Sequence, residues 1–421
     1  MKKLFSVLLL FIPCMVNAQT IKTDVLVLGN SDAAYAAGLQ SSKSGVTTFI
    51  LTQKPAFDLK EIGAEKSKEI ISMYQNVEKQ KNELLNKNIQ KDTTKLFKMV
   101  GKSNETLVGT VNNQAAIGHQ TTRKFKINDK KKLQIPKFEI IDNIPYAEIK
   151  RSGNGWEVKL TTNQTIKAKV LVVATPDEKT ISSLKIQSLK VAESSTLNYN
   201  ENLYRTTIAG INHSQNFLSL YNLLIPDQEN FLFIPAENLE IGQAAGATAA
   251  YAAFYQTKTS LSNLKRIQGE LLNYKLSLMP FEDVEAIDSN WLVIQKTGIT
   301  GILKAEFKNG KLYFYPEQDV VYSEIKQPLK DYYYKAQIWF DDHQNVAINL
   351  ENVISMVCYV GNKSVDATKN ELEKNWNKAY KFNSKYDLKK VLTRREFSVV
   401  INDYLKPFDT INVDKTGRVV R

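Results

Sequence analysis

Asp24-Val25-Leu26-Val27-Leu28-Gly29-Asn30-Ser31-Asp32-Ala33-Ala34 is the stretch whose reading decides the fold. After Asp24, Val25 to Leu28 make an apolar run rich in Val and Leu, which predicts a buried strand. Glycine closes the run, and an alanine-rich helix is expected from Ala33 to Ser42. Gly45 breaks the chain, and Val46 to Leu51 reads as a second apolar strand. Strand, tight turn, helix and strand within about thirty residues make a βαβ unit. Both strands are apolar throughout, as a parallel sheet covered on two faces requires.

The pattern continues outward from this unit. Residues 56–100 read as helical and rich in Lys and Glu, and residues 101–135 as polar and irregular. Alternation in Ala147–Lys150 and Trp156–Leu160, around the Gly153-Asn154-Gly155 turn, predicts a hairpin with one wet face. Val170–Val173 and Phe231–Ile234 are further apolar strands, while residues 178–228 carry no legible pattern. Gly242 to Tyr251 is a helix of small residues that can lie close to a neighbour's backbone. From about residue 280 aromatic residues cluster, and a domain boundary is expected at Met279-Pro280. A helix is expected over Arg394–Tyr404, stopped by Pro407. The predicted class is α/β: a Rossmann-like domain with inserted β-hairpin and helical segments over residues 19–279. A smaller mixed α+β domain follows over residues 280–421.

A strand that ends in glycine and opens a helix offers helix-end amides and a positive dipole end to a pyrophosphate. In the G-x-G-x-x-G fingerprint the first glycine makes the turn. The second admits phosphate, and the third lets helix meet strand. Gly29, Ser31 and Ala34 occupy those places, so only the first glycine is kept. The Cβ of Ser31 intrudes where phosphate approaches, and Asp32 adds negative charge. At the end of the second strand, where an acid usually holds ribose hydroxyls, stand Thr52 and Gln53.

Three further pieces follow in order: Trp156 through Thr175, closing in Ala174-Thr175; Glu229–Ile234; and Gly242-Gln243-Ala244-Ala245-Gly246 with Ala249. Together with the loop they resemble the FAD-dependent oxidoreductase family of secreted bacterial proteins, some of them named xanthan lyase. The resemblance covers about residues 21–275, and the Gly242–Gly246 piece is its most specific part. It implies FAD as cofactor, with Gly29, Ser31 and Ala34 facing the pyrophosphate and Thr52 or Gln53 near the adenosine ribose. Thr175 would lie near the adenine. The amides of Gly242, Gln243 and Ala244, in the motif that Gly246 completes, would face the flavin pyrimidine. The sequence departs from the family at Pro176, where glycine is expected, and at Ala236-Glu237 in place of glycine-arginine. The segment between Ile234 and Gly242 is short, and no general base can be assigned.

The second domain resembles S-layer homology repeats at Pro280–Val284, Trp291, Lys296–Gly301 and Tyr313–Pro316, and again at Leu392–Phe397. That resemblance implies cell-wall glycan binding, with Trp291 and Arg394 as candidates. Thr393 and Glu396 read equally as a capping box for the helix at Arg394. Asp341-Asp342-His343 reads as a polar turn, and Tyr332-Tyr333-Tyr334 with Trp339 as packing residues.

Composition bounds the classes. With 43 % hydrophobic and 24 % charged residues the chain is globular rather than disordered. Lys2 and Lys3, the apolar run Leu4–Cys14 and the small residues up to Ala18 read as a signal peptide over residues 1–18. Export is therefore expected, to the periplasm or the cell surface, and Cys358 is left as the single mature thiol. An exported chain with one thiol has no internal disulfide and relies on its core. The formal net charge is +12, and loss of Lys2 and Lys3 leaves +10. The lysines are scattered, which argues for a solvated surface and against nucleic acid. His119, His213 and His343 lack ligand spacing, so no metal is expected.

Two function classes emerge: an exported FAD-dependent oxidoreductase with a degenerate site, acting on a small or sugar-derived substrate; or a non-enzymatic envelope module binding glycan. Cleavage after Ala18 predicts a mature chain beginning at Gln19, which the intact mass of the protein recovered from the envelope fraction checks.

Overall fold

The computed structural model describes residues 20–53, 138–174, 178–184, 193–234 and 238–420. The expected signal peptide, the helical reading of residues 56–100, Thr175–Asp177 and Ala236-Glu237 lie outside these described residues.

The first unit is as the sequence predicts: strand β1 (Thr20–Leu28), helix α1 (Asp32–Lys43) and strand β2 (Thr48–Leu51). Strand β3 (Phe138–Ile141) follows, then β4 (Tyr146–Ser152), β5 (Gly155–Leu160) and β6 (Thr165–Ala174). After helix α2 (Glu178–Leu184) come β7 (Ser195–Thr196), β8 (Thr207–Gly210), β9 (Asn216–Ser219) and helix α3 (Leu220–Leu223). Strand β10 (Phe231–Ile234) and helix α4 (Leu239–Tyr255) complete the sheet and its cover.

β3, β2, β1, β6 and β10 run parallel, in that spatial order. β6 is long enough to serve two partners on one edge. Its first half pairs antiparallel with β5 and its second half parallel with β10. The chain moves from β1 to β2 and β3 on one side, then returns to β6 and β10 on the other. The strand order therefore reverses between β1 and β6. This is an α/β architecture, a parallel sheet with helices packed on it and an inserted antiparallel hairpin.

Period-two alternation places the side chains. Val25, Val27, Ile50, Val170 and Val172 enter one core, beneath α1 and α4. Leu26, Leu28, Phe49, Leu171 and Val173 enter the other, against Trp156, Val158 and Phe231.

The layer of α1 and α4 is unusually close. A Cβ on Gly242 would stand 2.3 Å from the Ala33 carbonyl oxygen, and one on Gly246 would stand 2.3 Å from that of Ala37. Ser41 donates its hydroxyl to the Gly246 carbonyl at 2.9 Å, and Gln243 donates to Gln40 at 3.2 Å. Small residues one turn apart on both helices let the backbones meet. Each glycine costs about 1 kcal/mol of helix propensity relative to alanine, which the contact must offset.

Beyond α5 (Leu264–Asn273) the chain is mainly helical: α6 (Trp291–Thr300), α7 (Tyr322–Tyr332), α8 (Tyr334–Asp342), α9 (Leu350–Gly361), α10 (Val365–Asn375), α11 (Arg394–Tyr404) and α12 (Pro407–Thr410). Two short hairpins, β11–β12 (Glu306–Lys308, Lys311–Tyr313) and β13–β14 (Asn412–Val413, Val419–Val420), accompany them. Met279 and Phe281, on either side of the expected boundary, both belong to the core that runs from Val25 to Phe408. Gln295 stitches this point, accepting from the amides of Leu278 and Met279 at 2.9 and 2.8 Å.

Replacing Gly246 with valine should lower the unfolding free energy by about 3 kcal/mol, through a clash with backbone that has no room to yield. Gly153→Asn, at a left-handed hairpin turn with nothing within 4 Å, should change it by less than about 0.5 kcal/mol. Urea titrations of both variants check the pair.

Candidate functional site

The carboxyl ends of β1 and β6 define the crevice in which open α/β sheets take their ligands. Gly29 lies there with φ +141°, and a Cβ on it would stand 2.2 Å from the Ala174 carbonyl oxygen. Glycine is thus required by the strand contact itself, whatever binds above.

Ser31 is the N-cap of α1. Its extended backbone turns the hydroxyl back to accept from the Ala34 amide at 3.3 Å, and it is 6 % exposed. Asp32 occupies the first turn and is also 6 % exposed. A carboxylate there suits the positive helix end but opposes a second anion. Ala34 is fully enclosed in the core and plays the packing part of the third glycine.

Thr52 is fully buried. Its amide donates to the Ile141 carbonyl at 3.0 Å, and its own carbonyl accepts from Ile144 at 3.1 Å. Its hydroxyl accepts from the Asn143 amide at 3.4 Å. These bonds tie β2 to the turn after β3 and leave the hydroxyl enclosed rather than facing a ribose. Gln53, beside it, is half-buried.

The motif on α4 is placed differently from what the resemblance implies. The helix begins at Leu239, capped by Asn238, whose side chain accepts from Ile241 at 2.9 Å. The Gly242 amide already donates to the Asn238 carbonyl at 3.0 Å. Gln243 and Ala244 lie one step further into the helix, 3 % and 0 % exposed. Gly242 and Gly246 face α1, and their missing side chains are what its carbonyls need. Asn238, Gln40 and Ser41 were not singled out from the sequence; the Asn before an apolar run was a cap signal that could have found the first.

Gly29, Ser31, Ala34 and Gly242 are therefore brought to one corner of the sheet, but as parts of its framework. Among the described residues, the Ser31 hydroxyl, the Thr52 hydroxyl and the Gly242 amide are each bonded within the protein.

A second candidate lies in the helical region. A cavity of about 550 Å³ opens between Asp288, Asn290, Glu317, Lys381, Lys390 and Arg395. Arg395 donates to Asp288 at 2.7 and 2.8 Å and to Glu317 at 2.7 Å. Burial alone would lower the Arg395 guanidinium; the bonds to the two carboxylates outweigh it and hold it above its ordinary range. Lys390 pairs with Glu396. Lys381 and Asn383 reach the cavity from an exposed loop, and among the described residues Lys381 makes no ion pair. A second hollow of about 480 Å³, floored by Tyr315 and Pro316, shares Glu317 with the first. Tyr315 holds a left-handed φ of +53°, uncommon for a bulky side chain, and its amide donates to Asp283 at 2.7 Å.

The two glycan candidates drawn from the resemblance do not line this groove. Trp291 is fully buried. Arg394 is 4 % exposed and donates to the carbonyls of Phe314 at 2.8 Å and Lys304 at 2.6 Å, with Glu324 as its ion-pair partner. Thr393 and Glu396 form the capping box: Glu396 accepts from the Thr393 amide at 3.0 Å, and the Thr393 hydroxyl accepts from Glu396 at 3.3 Å. His343 stacks on Trp339 at 4.4 Å at the end of α8. Among the described residues no cluster of His, Cys, Asp and Glu has metal-site geometry, and no helix is long and apolar enough to cross a membrane.

No family model matches the chain, and no curated protein matches it. Among solved structures, thioredoxin reductase of T. acidophilum is 13 % identical over 36 % of this chain, with a TM-score of 0.18. THI4 of Thermovibrio ammonificans is 12 % identical over 56 % of this chain and 90 % of its own, with a TM-score of 0.25. L-proline dehydrogenase of P. horikoshii is 16 % identical over 37 % of this chain, with a TM-score of 0.18. The match spans 35 % of the reductase and 23 % of the dehydrogenase. Likeness at these scores carries no argument about function.

Arg394→Ala should cost about 3–5 kcal/mol, because it leaves two carbonyls and a carboxylate without their partner. Thr393→Ala should cost about 1 kcal/mol, the worth of an N-cap. Thermal denaturation of the two variants separates these framework roles from any role in binding.

Proposed function

We propose that this chain is an exported binding module of the cell envelope, built on a flavoprotein-type scaffold that no longer works as a redox centre. Its ligand is carbohydrate, taken in the polar groove of the helical region. The groove between Asp288, Glu317 and Lys381 is the observation that supports this reading. Its charges are mostly paired, its rim offers amides and hydroxyls, and Tyr315 lies in the adjoining hollow that shares Glu317 with it. Such a surface suits a polyhydroxylated ligand with many directional hydrogen bonds and a ring face to stack. The enclosure of Ser31, Thr52 and Gly242 supports the non-redox half of the reading.

A second reading, an FAD-dependent oxidoreductase, is favoured by one observation: α1 opens at the point where strand order reverses, the usual place for a nucleotide. The two readings separate cleanly. The mature protein should be colourless and should leave the absorption spectrum of added FAD unchanged; a flavin spectrum at one equivalent would sink the first reading. Purified envelope polysaccharide should bind in calorimetric titration. Lys381→Glu should weaken that binding about tenfold, the loss of one charge-assisted bond of about 1.5 kcal/mol.

A further inference from the structure

We propose that the protein docks on anionic lipid bilayers through the last turn of α4 and the loop that follows it. α4 is enclosed along most of its length; in its final turn Ala252 and Ala253 stay in the core while Phe254 and Tyr255 are exposed and Tyr251 is half-buried. Tyr251, Phe254 and Tyr255 fall at i, i+3 and i+4, so they form one stripe there. Phe254 is 61 % exposed and Tyr255 43 %, and Leu261, in the short turn beyond, is 67 % exposed. The rings gather into one cluster, with Tyr251 and Phe254 at 4.6 and 5.0 Å from Tyr255.

The charge pattern gives the patch its direction. From Ile241 to Thr257 the chain carries no Asp, Glu, Lys or Arg. A helix end facing water is favoured by cations in its last turn; this one has none, and carries aromatic residues in their place. The cations stand just outside the stripe. Lys258 is exposed, and Arg266 donates to the Tyr255 hydroxyl at 2.6 Å with its guanidinium 5.4 Å over the ring. Lys169, paired with Asp24 at 2.7 Å, reaches the Ala253 carbonyl. Glu229, a second acid nearby besides Asp24, is engaged by the Ser260 amide at 3.1 Å and the Thr259 hydroxyl at 3.2 Å.

Exposed Phe and Leu with Tyr between them, rimmed by Lys and Arg, is the chemistry of an interfacial segment. The apolar side chains enter the acyl boundary, Tyr sits at headgroup level, and the cations meet anionic headgroups. The same cations argue against a second copy of this chain as occupant. A two-fold contact through the patch would bring Lys258 and Arg266 toward their own equivalents.

The test uses the full mature chain and two vesicle preparations, phosphatidylcholine alone and phosphatidylcholine with phosphatidylglycerol. The protein should sediment with the anionic vesicles, and less so as salt is raised. Phe254→Ser/Leu261→Ser should weaken binding at least about tenfold, through lost apolar burial. The thermal transition should be unchanged, because both side chains lie outside the core. Three results would each overturn the proposal: no sedimentation with anionic vesicles, equal binding by the double variant, or a wild-type dimer that the double variant returns to monomer.

Discussion

The backbone contact between α1 and α4 is the constraint on which the rest of the first layer depends. Gly242 and Gly246 approach the carbonyls of Ala33 and Ala37 more closely than any Cβ could. Both helices rest on the same face of the sheet, over Val25, Val27, Val170 and Val172. A side chain inserted between them could be relieved only by lifting one helix off that face. The small residues at 33, 37, 41, 242 and 246 therefore fix where α4 lies. Through α4 they fix where both of its ends emerge. The helix has almost no polar face because protein surrounds it: 14 of its 17 residues are buried.

That contact also explains why the fold itself needs the glycines of the motif. Glycines in such a helix have two separable uses, close packing on a neighbour and amides presented to a ligand. Here the packing use is fully accounted for, and the Gly242 amide is closed by Asn238. Gly29 follows the same logic, since the Ala174 carbonyl leaves no space for a side chain with or without a phosphate above it. Where geometry demands a residue for the fold, its presence is weak testimony about a cofactor. Ser31 and Thr52, which the fold does not demand in the same way, are the more informative positions. Both have turned their hydroxyls toward backbone amides of the protein itself.

The parts of the fold that the sequence made legible are those with a strong period. β2, β10 and the second halves of β1 and β6 read as continuous apolar runs, and each pairs in parallel and is buried on both faces. The β4–β5 hairpin was visible from alternation around Gly153-Asn154-Gly155. The three-stranded sheet of β7, β9 and β8 was not, because its strands are two to four residues long and are set by tertiary contacts such as the bond from Gly210 to Ser277. At α11 the capping box was readable from Thr393 and Glu396, since it is a local device. Arg394 between them was only a candidate that the resemblance implied, and its buried bonds were not readable from the sequence. Its fate was decided by the carbonyls of Phe314 and Lys304, some 80 and 90 residues distant in the chain. The groove around Arg395 and Lys381 was illegible for the same reason, being assembled from four separate loops and helix ends.

α4 shows how far a single buried helix divides its tasks by position. Its first turn is sealed by Asn238 at the crevice, its middle holds α1 in place, and only its last turn meets the surface. An enclosed helix can present chemistry solely at its ends. With the amino end closed by its own cap, the carboxyl end is where sequence is free to serve something other than the core. A solvated end would be expected to carry Lys or Arg in its last turn, where they gain from the helix dipole. Aromatic residues in those places forgo that gain and expose apolar surface to water. Such a choice is sensible where the medium beyond the helix end is itself partly apolar, with the cations set just outside the stripe to meet its charged boundary.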